Sequence, residues 1–432
     1  MRLLIEGGRL VDPASGLDGD LDLLIEDGRV AAVGPGLRGE LADGVDVLDA
    51  AGCVVAPGLV DVHVHLREPG FEYKETIASG TRAAAAGGFT TVCCMANTDP
   101  VNDNGAVTEF IIKEAASRGA CKVYPIGAVS KKLEGRELAE IGDMAEAGCV
   151  ALSDDGRPVL DSGLMRRAME YAGRFGLAIV GHCEDAGLTR GAVMHEGPLS
   201  TELGLIGWPA SAEEILVARD IVLAEAFGRP VHLAHLSSAG SVRLLREAKA
   251  RGVPVTAEVT PHHLTLTDEA VRGYDTSAKM NPPLRSNEDR EALRGALAEG
   301  LIDAVATDHA PHAASDKEVE FDQAAFGVVG LETALALVLG LSEEGVLTLP
   351  AAVERLTSGP ARCLGLSAGT LAVGSPADVV VFDPETAWTV EPERFHSRGR
   401  NTPFAGWEVK GKVMATLVDG RVVYTDGDGV LV

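Results

Sequence analysis

Between about residues 53 and 364 the chain alternates between two hydrophobic periods. Short apolar runs of strand character give way, again and again, to Ala/Glu/Arg-rich stretches of helical character. Eight runs read as strands: 59–65, 88–95, 122–127, 149–153, 178–183, 231–236, 253–259 and 303–307. Helical patterns follow most of them, including 106–117, 163–175, 212–226, 241–250 and 287–297, and Ala83–Ala86 is a helix-favouring run. Parallel strands need long crossovers, usually helices. Eight such units over roughly 300 residues predict an α/β fold with a TIM-type (β/α)8 barrel. A doubly wound sheet is the competing arrangement. No G-x-G-x-x-G follows any strand, which weakens its dinucleotide-binding version.

The two ends differ from this middle. Apolar runs at 3–6, 21–25, 30–33 and 45–49 are broken by Gly and Asp turns, and 378–383, 408–412 and 414–419 look alike. Asp419-Gly420 and Asp426-Gly427 are turn pairs. Residues 1–52 and 365–432 are therefore expected to build one small β-sandwich domain from both termini. Residues 53–364 are expected to form the barrel.

Composition narrows the function classes. Lys plus Arg number 38 against 64 for Asp plus Glu, a net charge of −26. Such a surface repels phosphate backbones and anionic lipid, so no nucleic-acid or membrane partner is expected. The longest apolar stretch, 331–341, contains Glu332 and falls short of the about 20 residues a span needs. Seven cysteines are scattered without a C-x-x-C pair, and the first residues lack a signal-peptide core. These features predict a reduced, cytoplasmic protein, with a homo-oligomer as the expected state.

Metal-competent residues collect at one end of the predicted strands. His63 and His65 lie two apart on the first strand, so their side chains share a face. Asp154 and Asp155 end the fourth strand, His182 the fifth, His235 the sixth and Asp308 the eighth. Active sites of such barrels lie at the C-terminal ends of their strands. Taking one of the adjacent aspartates, six ligands are too many for one tetrahedral ion and suit two. Other histidines read as structural or exposed. His232 is expected on the opposite face from His235, His262 and His263 follow Pro261, and His195 and His396 sit in loop-like contexts. Cys183, the strand neighbour of His182, is read as packing.

Pro57-Gly58-Leu59-Val60-Asp61-Val62-His63-Val64-His65-Leu66-Arg67-Glu68-Pro69-Gly70 resembles the signature of the cyclic amidohydrolases, specifically the dihydroorotases. Met95-Ala96-Asn97-Thr98-Asp99-Pro100 and Lys279-Met280-Asn281-Pro282-Pro283-Leu284-Arg285 look like further motifs of that family. So do Ala306-Thr307-Asp308-His309-Ala310-Pro311-His312, Phe326-Gly327-Val328-Val329-Gly330-Leu331-Glu332 and Arg400-Asn401-Thr402-Pro403-Phe404. Ala96 departs from the proline usual at its position. The resemblance covers essentially the whole chain. It implies that His63, His65 and Asp308 hold one zinc, and His182 and His235 the second. Many relatives bridge the ions with a carboxylated lysine. Leu152-Ser153-Asp154-Asp155-Gly156 has none, and resembles the subgroup in which an aspartate, here Asp155, is the bridge. That shorter bridge predicts two Zn2+ per subunit with the second site partially occupied.

The resemblance also implies a substrate. Dihydroorotate carries a ring carboxylate, which a guanidinium can pair bidentately. Arg67, two beyond His65, is expected on the same face as the ligand. By resemblance Asn97 and His312 complete the carboxylate site with His65 nearby, Asn281 contacts the ring, and the Phe326–Gly327 backbone closes on it. Residues 313–325 are expected to form a mobile lid. The ions would generate hydroxide and polarise the scissile carbonyl, with Asp308 as general acid/base. Opening would yield N-carbamoyl-L-aspartate, reversibly, in pyrimidine synthesis. Dihydropyrimidinases (hydantoinases) and allantoinases are the enzymatic rivals. They generally keep the bridging lysine, and their substrates lack the carboxylate. A non-catalytic scaffold for aspartate transcarbamoylase would be expected to lack metal ligands. A partnership of an active enzyme with that transcarbamoylase stays open.

Overall fold

The computed structural model describes residues 2–40 and 44–427. Its central sheet has eight parallel strands: Leu59–Val64, Phe89–Cys94, Lys122–Gly127, Ala151–Leu152, Ala178–Gly181, Val231–Leu233, Val255–Val259 and Ala304–Val305. They stand side by side in chain order. A parallel bridge between Val64 and His309, with His65 N donating to His309 O at 2.8 Å, joins first strand to last. Each strand lies where the apolar runs predict. The fourth, sixth and eighth are shorter than predicted, because the chain leaves the ladder early and turns at the rim.

Helices Ile77–Ala86, Gly105–Arg118, Ser162–Ala172, Ser211–Phe227, Ala239–Ala250 and Asn287–Ala298 follow the apolar periods. Thr76, Asn104, Asp161, Ser238 and Ser286 each accept a backbone N–H at a helix start. Short polar side chains serve there because the first turn has unpaired donors. Two apolar layers result. Strand residues such as Leu59, Val92, Leu152 and Ile179 pack with helix residues such as Ala83, Ile111, Leu164 and Leu216. Val60, Val62, Cys93, Ile126, Ala151, Val180, Ala234 and Ala306 fill the barrel, against Ala361.

The termini build two further sheets. One runs Arg29–Gly34, Asp22–Glu26, Arg2–Glu6, Asp46–Asp49 in spatial order. The other runs Arg421–Thr425, Glu408–Val418, Val379–Thr389, Val54–Pro57, Arg9–Asp12, Leu17–Asp20. Leu3, Ile5 and Leu23 of the first share a core with Leu10, Val55, Val379 and Leu417 of the second. Alternate residues Val380 and Phe382 join the barrel's outer layer instead, so this sheet is buried on both faces. Glu408–Val418 is one strand where two were expected. Val413, where the break was expected, pairs with Phe382, and Gly411, with φ +93°, sits at an irregularity in the ladder. Val54–Pro57, on the barrel side of the expected boundary, pairs with Arg9–Asp12 and Val379–Thr389. Among the described residues no helix is long and apolar enough to cross a membrane.

Candidate metal centre

The first strand carries an irregularity that aims its histidines. Asp61 pairs with Val92 and Val64 with Cys94, so one extra residue stands between them. An extra residue reverses which face alternate side chains take. Val60 and Val62 therefore fill the barrel while His63, beyond the bulge, also turns inward. The bulge leaves a spare N–H, and Asp61 Oδ1 accepts it from His63 N at 3.0 Å. Asp61 also accepts from Thr307 N at 3.2 Å, tying the first strand to the last.

All six expected ligands meet at this rim. His65 Nε2 is 3.0 Å and His63 Nε2 3.5 Å from Asp308 Oδ1. Asp155 faces four imidazoles. Its oxygens lie 3.4 Å from His63 Nε2, 3.4 Å from His65 Nε2, 3.2 Å from His182 Nδ1 and 3.6 Å from His235 Nε2. His182 Nδ1 is 2.9 Å from His235 Nε2. Asp154 points away from the centre, although the strand already ends at Leu152. It accepts from Val129 N, Ser130 N and the Ser130 hydroxyl, bracing the neighbouring loop.

These residues can hold a cation. His63–His65–Asp308 and His63–Asp155–His235 each bring their ligand atoms within 4.8 Å of one another. His63 Nε2 is buried without a hydrogen-bond partner among the described residues, at the place an ion would fill. Imidazole nitrogen with carboxylate oxygen suits zinc and similar ions. Charge argues the same way. Burial disfavours ionised Asp155, yet the charge of His63 and hydrogen bonds from His182 and His235 hold it well below the usual carboxylate range. Burial opposes the charge of Asp308 too, and His63 and His65 hold it down. Burial works against a proton on His63, and Asp155, Asp308 and Glu258 outweigh it. Buried carboxylates this close require positive charge among them.

The expected substrate contacts surround this centre. Arg67 is not placed by strand alternation, since the strand ends at Val64 and Arg67 has φ +64°. Its Nε donates to Pro311 O at 3.2 Å and Nη2 lies 3.5 Å from His312 Nε2. Among the described residues it pairs with no carboxylate. His235 (φ +32°) and Asp308 (φ +47°) share the left-handed conformation, which L-residues adopt at a cost and which clusters at functional sites. Asn97 Oδ1 is 2.9 Å from His65 Nδ1, so Asn97 orients that imidazole. Asn281 Nδ2 donates to Glu184 Oε2 at 3.0 Å, and its Oδ1 is buried without a partner among the described residues. His312 Nε2 donates to Phe326 O at 2.8 Å. Gly327 has φ +127°, and a Cβ there would meet Ala310 Cβ at 2.7 Å, so only glycine fits.

Lys74, Lys279 and Lys317 make the contacts of the segment expected to act as a lid. Lys317, on the short helix Ala314–Lys317, donates to the carbonyls of Thr276, Lys279 and Ala325. Lys279 returns the contact to the carbonyls of Phe321 and Asp322. Lys74 pairs with Asp316 at 3.1 Å.

Four residues join the site that the motifs did not single out. Glu258 contacts His63 and His232, and Glu184 contacts His182 at 3.1 Å. Lys74 lies 3.3 Å from His312 Nδ1. His262 is buried, and its Nε2 has no partner among the described residues. Burial and then His263 keep its ring neutral, against the pull of Asp308. A lone glutamate inside an apolar strand run was the visible signal for Glu258. Nothing local marks Glu184 or Lys74, while His262, following Pro261, reads from the sequence as structural.

The model of the amidohydrolase family matches residues 54–423. The chain belongs to the amidohydrolase family. It is 59% identical to a dihydroorotase of Pelotomaculum thermopropionicum, covering 99% of each chain. It is 57% identical to the dihydroorotase of Anaeromyxobacter sp. (strain K), covering 98% of each. Among solved structures it is similar to the L-hydantoinase (dihydropyrimidinase) from Arthrobacter aurescens. The TM-score is 0.89 at 28% identity, covering 100% of this chain and 97% of that one. A dihydropyrimidinase from Brevibacillus agri gives 0.85 at 25% identity, covering 98% and 95%. These amidohydrolases share the barrel described above.

Proposed function

We propose that the chain is a catalytic dihydroorotase, opening and closing the ring between (S)-dihydroorotate and N-carbamoyl-L-aspartate in pyrimidine biosynthesis. One observation carries the reading: an inward-facing His/Asp centre in which Asp155, and no lysine, faces four imidazoles lies at the same barrel rim as Arg67, which among the described residues pairs with no carboxylate. The full-length likeness to dihydroorotases at 59% identity supports it over the hydantoinase alternative.

His63, His65 and Asp308 would hold one zinc ion, His182 and His235 the other, with Asp155 between. Bound ions would supply Lewis acidity toward the scissile carbonyl and lower the pKa of water. The chain's own groups do the rest. Arg67, Asn97 and His312 receive the ring carboxylate, a pairing a guanidinium makes bidentately. Asn281 and the Phe326–Gly327 backbone orient the ring. Asp308 takes a proton from the attacking water on a carboxylate oxygen and returns it to the departing ring nitrogen. Cys183 plays no part. Burial, then Asp220, raises its thiol pKa well above the ordinary value, and it packs away from the centre.

The division into a terminal β domain (1–52 with 365–432) and a catalytic barrel (53–364) belongs to this proposal. The pairing of Val54–Pro57 supports moving the first boundary to Gly58. We further propose a cytoplasmic homo-oligomer that works alone or with aspartate transcarbamoylase, testable by light scattering with and without that enzyme. The functional test is turnover of dihydroorotate beside hydantoin and allantoin. Exclusive turnover of dihydroorotate supports the reading, and preference for a ring without a carboxylate overturns it.

A further inference from the structure

Glu258 lies on the seventh barrel strand, Val255–Val259, and is fully buried. Its Oε1 is 2.8 Å from His63 Nδ1 and 3.3 Å from the backbone N of His235. Its Oε2 is 3.1 Å from His232 Nε2, whose Nδ1 meets Thr256 Oγ1 at 2.8 Å. We propose that Glu258 is a positioning residue that couples the two ion subsites, holding the His63 ring and the His235 backbone with one carboxylate. The inference rests on the metal reading of the site.

An ionised carboxylate only accepts hydrogen bonds. His63 must then carry its proton on Nδ1, which leaves the lone pair on Nε2. That atom is the buried, unpartnered one, 3.4 Å from Asp155 and 3.5 Å from Asp308. His63 is a ligand of the first subsite, and its ring also lies within 4.8 Å, ligand atom to ligand atom, of Asp155 and His235, so its orientation bears on the second subsite too. The second contact acts through the backbone. His235 sits at φ +32°, a sparsely populated conformation that persists only where its surroundings hold it. The hydrogen bond to Glu258 is such a hold, and it sets the ring whose Nε2 lies 2.9 Å from His182. The neighbours of Glu258 are Ala257 and Val259, both fully buried. Packing alone would be served by an apolar side chain, because a buried charge is costly without partners. Here the carboxylate has three, and two of them are metal-site residues.

The test is zinc release from the purified full chain under chelator competition, comparing wild type with Glu258→Gln and Glu258→Ala. Loss of an outer partner of a metal-ligating histidine weakens metal binding by about 10–100-fold. The alanine variant should lose affinity by that factor at both subsites, in parallel. The glutamine variant keeps an acceptor for His63 and His235, so it should fall between the two. An alanine variant that holds zinc as wild type does overturns the inference. Loss at the His63–His65–Asp308 subsite alone overturns the coupling. Nitrogen-15 long-range spectra of the wild-type zinc protein decide the matter even if the variants misfold. They should show His63 protonated on Nδ1, and protonation on Nε2 contradicts the proposal. A wild-type protein that takes up no zinc sinks the metal centre itself, and this inference with it.

Discussion

Gly70 is where the loop after the first barrel strand touches the loop after the second. A Cβ built there would lie 2.1 Å from Asp99 O and 2.6 Å from Asp99 Cβ, at φ +99°. A carbon–oxygen contact relaxes to about 3.3 Å, so Gly70→Ala must part the two loops by roughly 1 Å. The parting breaks the seam in which Asp99 N donates to Pro69 O at 2.9 Å. Arg67 stands three residues before the clash on one loop and Asn97 two before Asp99 on the other. A misplacement of about 1 Å in a positioning element costs on the order of 100-fold in rate. We expect kcat/KM for dihydroorotate to fall by that factor while zinc content stays at the wild-type level, since His63 lies on the strand and His65 is tied by its backbone to His309. Backbone strain of about 1–3 kcal/mol and overpacking of about 1–3 kcal/mol should also appear in urea unfolding. Steady-state kinetics and metal analysis on one preparation settle it. A kcat/KM within threefold of wild type would refute the steric reasoning.

Three further outcomes follow from the same geometry. Asp308→Asn should reduce kcat by about 10²–10⁴-fold, the usual contribution of a proton-transfer group, and unchanged kcat would remove that role. Arg67→Met should raise KM for dihydroorotate by roughly 10–100-fold, from a charged hydrogen bond worth about 1.5–3 kcal/mol. It should leave zinc content alone, and an unchanged KM would dismiss the carboxylate contact. Burial raises the Glu332 pKa from 4.5 to about 7, despite hydrogen bonds from His396 N and Ser397 N. The folded state then binds this proton more tightly than the unfolded chain. Stability should fall as pH rises from about 4.5 through 7, by up to about 3 kcal/mol at 1.36 per unit. Glu332→Gln should flatten that fall in urea unfolding at pH 5 and 8, and parallel curves for the two proteins would contradict it.

The barrel was legible because its strands are apolar runs cut off by turn chemistry, and because helical periods separate them. The terminal strands were harder. Arg9–Asp12 and Leu17–Asp20 are four residues each, too short for alternation to stand out. The six side chains that cluster at the rim were readable as metal-competent residues recurring at strand ends. Their exact aim was not. His63 turns inward through a bulge that only strand pairing reveals. Alternation separated His232 from His235, but the strand stops at Leu233 and both residues end on Glu258. Arg67 reached the cleft by a left-handed turn, not along a strand. A three-dimensional contact such as Glu258 with His63, 195 positions apart, has no local trace.

The central claim is that the His/Asp centre binds metal to open a carboxylated ring. The direct test is ultraviolet-monitored loss of dihydroorotate by purified protein, with zinc measured on the same sample, before and after chelation and again after zinc is restored. We expect turnover that vanishes with the metal and returns with it, and none with hydantoin or allantoin. Turnover that survives complete removal of metal, or zinc-loaded protein inert toward dihydroorotate, would contradict it.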